Sequence, residues 1–126
     1  MALSWPTDHV LGDHFVGAGY GMAITYSVED PILDTGGAIK RAKPFLAGGR
    51  FAVLNADIIC DVDLRQVVAW HEQRRALATM VLRPDYDARR YGVIEIDADG
   101  RIRRFLGKPE TVGEPLTPLM FAGIHL

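Results

Sequence analysis

The sequence predicts one α/β domain of three layers, built on a mainly parallel sheet and carrying a C-terminal β-hairpin. Three observations lead there. Strand-length apolar runs alternate with helical spacings between residues 22 and 82, in the order strand, helix, strand, helix, strand. Residues 51–54 form an uninterrupted apolar run, as expected of a strand covered on both faces in a parallel sheet. Residues 93–105 alternate out and back across Asp97-Ala98-Asp99-Gly100, which is a hairpin signal. The βαβ order favours right-handed crossovers, and 126 residues suit a single domain, 1–126, able to bury roughly two thirds of its unfolded surface.

Residues 1–22 carry Trp5-Pro6 and then Gly12, Gly17, Gly19 and Gly21, which break any period, so a loose start is expected. Gly17-Ala18-Gly19-Tyr20-Gly21 has the look of a phosphate loop but neither follows a strand nor opens a helix. Residues 22–28 alternate, with Ile24, Tyr26 and Val28 on one face and Thr25 and Ser27 on the other. After the turn at Glu29-Asp30-Pro31, helical spacing links Ala38, Ile39, Ala42, Phe45 and Leu46 in one short helix that Gly48-Gly49 stops. Asp61 or Asp63 caps a second helix with Leu64, Val67, Val68 and His71 on one face; the same two carboxylates have Asp-x-Asp metal spacing, a weaker reading beside an immediate helix start. Residues 78–82 read as the next buried strand and 119–124 as the last.

A hydrophobic content of 48%, a charged content of 24% and a net charge of -2 describe an ordinary globular chain. With a pI near 6.0 and a mean hydropathy of +0.06, it offers no electrostatic footprint for nucleic acid or an anionic membrane, and neither is expected as a partner. Arg89-Arg90 and the group Arg101, Arg103 and Arg104 read as solvated faces. Cys60 is the only cysteine, which excludes an intrachain disulfide and makes a reducing cytoplasm the natural compartment; a small buried residue is expected there. The first residues show no secretory pattern, and no apolar run is long enough to cross a bilayer. The four histidines lack metal-ligand spacing, and no serine stands in a nucleophile elbow.

Two segments could carry chemistry. Leu33-Asp34-Thr35-Gly36-Gly37-Ala38-Ile39 opens a helix, where glycines allow close approach of backbone to a ligand and free N–H groups point outward. The other reading of Thr35, Gly36 and Gly37 is a loop-to-helix junction that needs small residues for packing. Phe51-Ala52-Val53-Leu54-Asn55-Ala56-Asp57 ends a strand on a carboxylate, at the edge where α/β sheets gather ligands. Asp57 can hold a divalent cation or serve as a turn aspartate. Asn55 either orients Asp57 or satisfies local backbone.

Those two segments, together with Tyr26-Ser27-Val28-Glu29, Asp61-Val62-Asp63-Leu64, Tyr91-Gly92-Val93-Ile94, Gly107-Lys108-Pro109 and Phe121-Ala122-Gly123-Ile124, give an order that resembles the sugar-1-phosphate nucleotidyltransferases. These nucleotide-sugar pyrophosphorylases include the mannose-1-phosphate guanylyltransferases. The resemblance implies a reaction between a nucleoside triphosphate and a sugar-1-phosphate, giving a nucleotide-sugar and pyrophosphate, with Mg²⁺ as cofactor. It further implies nucleotide contacts at Thr35, Gly36, Gly37 and Asn55, a metal contact at Asp57, and sugar-phosphate contacts at Tyr91, Gly92, Lys108 and Gly123. Tyr91-Gly92 can equally be a hairpin entry, and Gly123 a strand bend.

The match has departures. Gly107 stands where the family has the glutamate of Glu-Lys-Pro, and the chain contains neither the family's Gly-x-Gly-Thr-Arg run nor its Pro-Lys-Pro, nor the later second metal aspartate. A truncated domain, inactive by itself, is therefore expected; the alternative is a non-catalytic relative that binds ligand or oligomerises. With the family's first strand missing, the 51–54 strand should leave an apolar edge that recruits a second copy, so a homodimer is expected.

Overall fold

The computed structural model describes residues 2–6, 21, 24–85 and 92–126, with side chains from 21 onward, and divides the chain into two compact units, Met1–Arg50 and Phe51–Leu126. Gly17-Ala18-Gly19-Tyr20, Arg89-Arg90 and Tyr91 lie outside the described residues.

In the first unit, β1 (Ala2–Pro6) pairs in parallel with β2 (Thr25–Glu29), from Ala2 opposite Thr25 to Pro6 opposite Glu29. The loose start expected for residues 1–22 thus contains a strand. Its partner lies far along the sequence, and local glycine content carries no information about such pairing. In β2 the expected apolar face is the outer one: Tyr26 and Val28 are about half exposed, at 49% and 53%, whereas Glu29 is 5% exposed. Glu29 can face inward because its Oε2 accepts from the Leu33 N–H at 2.9 Å, which satisfies a buried carboxylate.

The single helix expected through Leu46 is two: α1 (Asp34–Arg41) and α2 (Lys43–Leu46). Pro44 explains the break, since it has no N–H to continue the ladder and its ring collides with the carbonyl four residues back. Ala42, at the junction, is buried.

The second unit holds β3 (Val53–Leu54), α3 (Leu64–Arg74), β4 (Met80–Arg83), β5 (Val93–Ile96), β6 (Ile102–Phe105) and β7 (Thr117–His125). Its sheet runs β3-β7-β5-β6, with β4 also paired to β7, and every pairing in it is antiparallel. The mainly parallel sheet expected from the βαβ order is therefore corrected: among the described strands, parallel pairing occurs only between β1 and β2. The reason is β7. Strands β3 and β4 both oppose it, so they share a direction, as two strands joined through a helix should, but β7 lies between them. His125 pairs with Val53 on one side and Met80 on the other, and Met120 pairs with Val93 on one side and Arg83 on the other, so β3 and β5 follow one another along the same edge of β7. No described residue pairs with the second edge of β3.

Ile94 and Ile124, at 2% and 0% exposure, form the centre of this unit, each worth about 1.5–3 kcal/mol of apolar burial. Helix α3 begins at Asp63, whose side chain accepts from the Arg65 N–H at 2.9 Å; the Asp61/Asp63 ambiguity resolves to an N-cap at Asp63. His71 is buried and meets Thr79 Oγ1 through Nδ1 at 2.9 Å. Cys60, expected to be buried, is exposed, because the stretch after β3 leaves the sheet and its neighbour Ile59 is solvent-facing too. The hairpin stands as expected, its tip closed by Asp97 Oδ1 accepting from Asp99 and Arg101 N–H groups. Among the described residues no helix is long and apolar enough to cross a membrane.

Candidate functional site

Each unit carries part of the predicted constellation. In the first, Thr35, Gly36 and Gly37 occupy the opening turn of α1, after Asp34 in left-handed backbone at φ 57°. The helix start has no side-chain cap, leaving its first N–H groups outward. The two glycines differ. A Cβ on Gly37 would come within 2.7 Å of Leu33 Cβ, so packing alone demands glycine there. A Cβ on Gly36 would meet nothing within 4 Å, and its backbone is ordinary.

In the second unit, Asn55 follows β3 directly and its N–H donates to the Gly123 carbonyl at 2.8 Å. This bond is made by the main chain, and the Asn55 side chain lies exposed. Gly123 is buried, at φ 80°, and a Cβ there would sit 2.9 Å from Ile58 Cγ2 and 3.3 Å from Asn55 Cβ. Gly123 thus sits in left-handed backbone within β7, against the turn that carries Asp57. Asp57 is exposed in that turn. Among the described residues no three carboxylate, histidine or cysteine side chains cluster as a metal cage. A single exposed carboxylate still suits Mg²⁺, which takes one or two protein oxygens and fills its remaining positions with water and phosphate.

Of the other predicted residues, Gly92 lines an open cleft of about 860 Å³ together with Glu95, Arg104, Leu106, Gly107 and Glu110, among others, and Lys108 stands between the lining residues Gly107 and Glu110. One wall is a tight turn. Phe105 and Lys108 exchange both backbone hydrogen bonds, at 2.8 and 3.0 Å, around Leu106 at φ 51° and Gly107 at φ 81°. Two successive left-handed residues make the type of turn in which glycine is favoured at the second position. This accounts for glycine in place of the family's glutamate. Gly92, at φ 96°, faces Leu106, whose Cδ2 would lie 2.6 Å from an added Cβ. Lys108 is three-quarters exposed and pairs with Glu110 at 2.7 Å.

The sequence did not single out Glu95 and Arg104 for the cleft. Arg104, read as part of a solvated face, is only 24% exposed; its Nη1 meets both Glu95 oxygens at 3.0 and 2.9 Å, Nε donates to the Pro109 carbonyl at 3.1 Å and Nη2 to the Glu110 carbonyl at 3.3 Å. The concealing feature is a bulge. Ile96 pairs with Ile102 but Glu95 pairs with Arg104, so one extra residue shifts the register, whereas a regular hairpin would set Arg103 opposite Glu95. Arg103 instead reaches Glu114 at 2.6 Å.

A Nucleotidyl transferase family model matches residues 7–119. The chain belongs to this family. Relatives include a mannose-1-phosphate guanyltransferase of Candida albicans, 37% identical over 112 residues, covering 85% of this chain and 30% of that protein. The mannose-1-phosphate guanylyltransferase catalytic subunit beta of Drosophila pseudoobscura pseudoobscura is 33% identical over 108 residues, covering 84% and 28%. A Bacillus anthracis crystal structure, provisionally assigned as a glucose-1-phosphate thymidylyltransferase and holding sucrose, superposes with a TM-score of 0.75 at 27% identity, covering 98% of this chain and 50% of that one. These place the chain among the sugar-1-phosphate nucleotidyltransferases and confirm its α/β class. The chain spans less than a third of the length of these curated relatives and half that of the structural neighbour.

Proposed function

We propose that the chain supplies part of a nucleotidyltransferase site in which a sugar-1-phosphate oxygen attacks the α-phosphorus of a nucleoside triphosphate. The new P–O bond forms as the bond to the β-phosphate bridging oxygen breaks, and pyrophosphate leaves. The observation that carries this reading is the cleft, where Gly92, at the entry to β5, and Gly107, in the turn that also bears Lys108, share one opening. Lys108 meets the sugar phosphate as a point charge. Its pair with Glu110 does not prevent this, since exposed ion pairs are worth about 0–1 kcal/mol and a phosphate can displace the carboxylate. Gly123 and Tyr91 contribute to the sugar side.

Thr35, Gly36, Gly37 and Asn55 take the nucleotide. Gly36 supports this most directly, because no described neighbour requires glycine there and a base or ribose lying close to the backbone would. Asp57 supplies the carboxylate for Mg²⁺. When bound, that ion would neutralise phosphate charge and hold the triphosphate in line. The 126 residues taken by themselves turn over poorly, as they contain no Gly-x-Gly-Thr-Arg run. The chain is cytoplasmic and forms a homodimer through β3, which light scattering across a concentration series would test; a monomeric mass at high concentration would exclude it.

The deciding experiment is an NMR titration of this chain with mannose 1-phosphate, then GTP or dTTP with Mg²⁺. Sugar-phosphate shifts should centre on Gly92 and residues 106–110. Nucleotide shifts should centre on residues 35–37 and 55–57, weaken in Asp57→Ala, and accompany no pyrophosphate release. Shifts confined to Arg101 and Arg103 would mean nonspecific anion contact. Turnover near one per second would overturn the proposed inactivity.

A further inference from the structure

We propose that Arg104 is the positioning residue of the cleft: anchored on Glu95, its guanidinium clamps the carbonyls of Pro109 and Glu110 and so sets where Lys108 presents its ammonium. The proposal rests on the sugar-phosphate reading above, but the clamp can be measured without a ligand. Arg104 spends donors in two directions, toward β5 through both Glu95 oxygens and toward the turn through two backbone carbonyls. That use needs a planar fork. A lysine would keep the charge but could not span the carboxylate and both carbonyls in one geometry. Both partners are largely shielded, at 24% and 17% exposure, so the pair is screened less than the neighbouring exposed pairs. Lys108 and Glu110, at 75% and 79%, have no such support of their own. The turn is otherwise held by the Phe105–Lys108 hydrogen bonds and by Leu106 N–H on the Val93 carbonyl, all of them before residue 109. At residues 109 and 110 Arg104 ties the chain back to the sheet, and further on Arg103 does so through Glu114.

Amide hydrogen exchange on the 126-residue chain, comparing wild type with Arg104→Lys and Glu95→Gln, tests the clamp. Exchange at Lys108, whose N–H is bonded to the Phe105 carbonyl, should quicken about tenfold in both variants. The amides of Asn55 and Leu126, bonded to Gly123 and Thr79, should not change and thereby report an intact sheet. Titration with mannose 1-phosphate, and separately with inorganic phosphate, should show about tenfold weaker binding of the sugar phosphate in both variants. Glu95→Gln is the decisive arm because it leaves Arg104 in place. Unchanged exchange at Lys108 in both variants would overturn the clamp. Binding lost in Arg104→Lys but kept in Glu95→Gln would overturn the positioning role, since Arg104 would then touch the ligand itself. Quickened exchange together with no wild-type binding of either probe would uphold the clamp and sink the function proposed above.

Discussion

The motif glycines of the two units differ in what they answer to. In Phe51–Leu126, Gly92, Gly107 and Gly123 all have left-handed backbone, and Gly92 and Gly123 also press on a neighbour, so the fold itself demands them. In Met1–Arg50, Gly37 is demanded by Leu33, but Gly36 has open space and ordinary helical geometry. A family motif is therefore two kinds of statement at once. Where packing already requires a glycine, its presence says little about ligand; where packing is silent, the same residue points outward to chemistry.

Substitution can break that contrast. Gly123→Ala should have the largest effect, losing about 2–3 kcal/mol of stability through left-handed strain and overlap with Ile58, read from the urea midpoint. Gly107→Ala, strained but with open space for the methyl, should lose about 1–2 kcal/mol. Gly36→Ala should leave stability unchanged or raise it by up to about 1 kcal/mol, while nucleotide shifts at residues 35–37 diminish. A Gly36→Ala chain as unstable as Gly123→Ala would erase the distinction.

Two titratable groups sharpen it on the side of the second unit. Partial burial pushes the His125 imidazole below its ordinary 6.5, so the unfolded chain binds the proton more readily. Its contribution is fully present above pH 6.5 and is lost as pH falls through the folded value; His125→Gln should flatten that acid limb of the melting curve. Asp63 shifts the same way for a different reason: the Arg65 side chain, then its N–H, holds the carboxyl below 3.8. Stability from this cap is present above 3.8 and fades as pH drops further. Because the group is exposed, Asp63→Ala should lower the melting temperature less than Gly123→Ala does, and more than Gly36→Ala.

Much of this was legible from local pattern. The hairpin could be read because alternation, a turn-forming Asp97 and Gly100 lie within one short window, and the α3 cap because Asp63 stands immediately before the apolar face. The sheet's direction was not legible. Residues 51–54 and 78–82 look alike whether they touch each other or a third strand between them, and only β7 decides that. Arg104 was hidden by a one-residue bulge that no composition rule reveals. The apolar residues of β2 misled for another reason: Tyr26 and Val28 alternate correctly, but which face is inward depends on the satisfied carboxylate of Glu29.

The place of β7 also dictates an order of assembly. Among the described strands of this unit, only β5 and β6 meet through a short local loop; β3, β4 and β5 each find an antiparallel partner in β7. On a chain emerging from the ribosome, the hairpin can close early, but the segments around Val53 and Met80 must wait, unpaired, until residues 117–125 arrive. Closing those distant loops is the slow, entropically costly part. The sheet should then condense in a single late step, so exposure of nascent strand edges lasts for nearly the whole of the unit's synthesis.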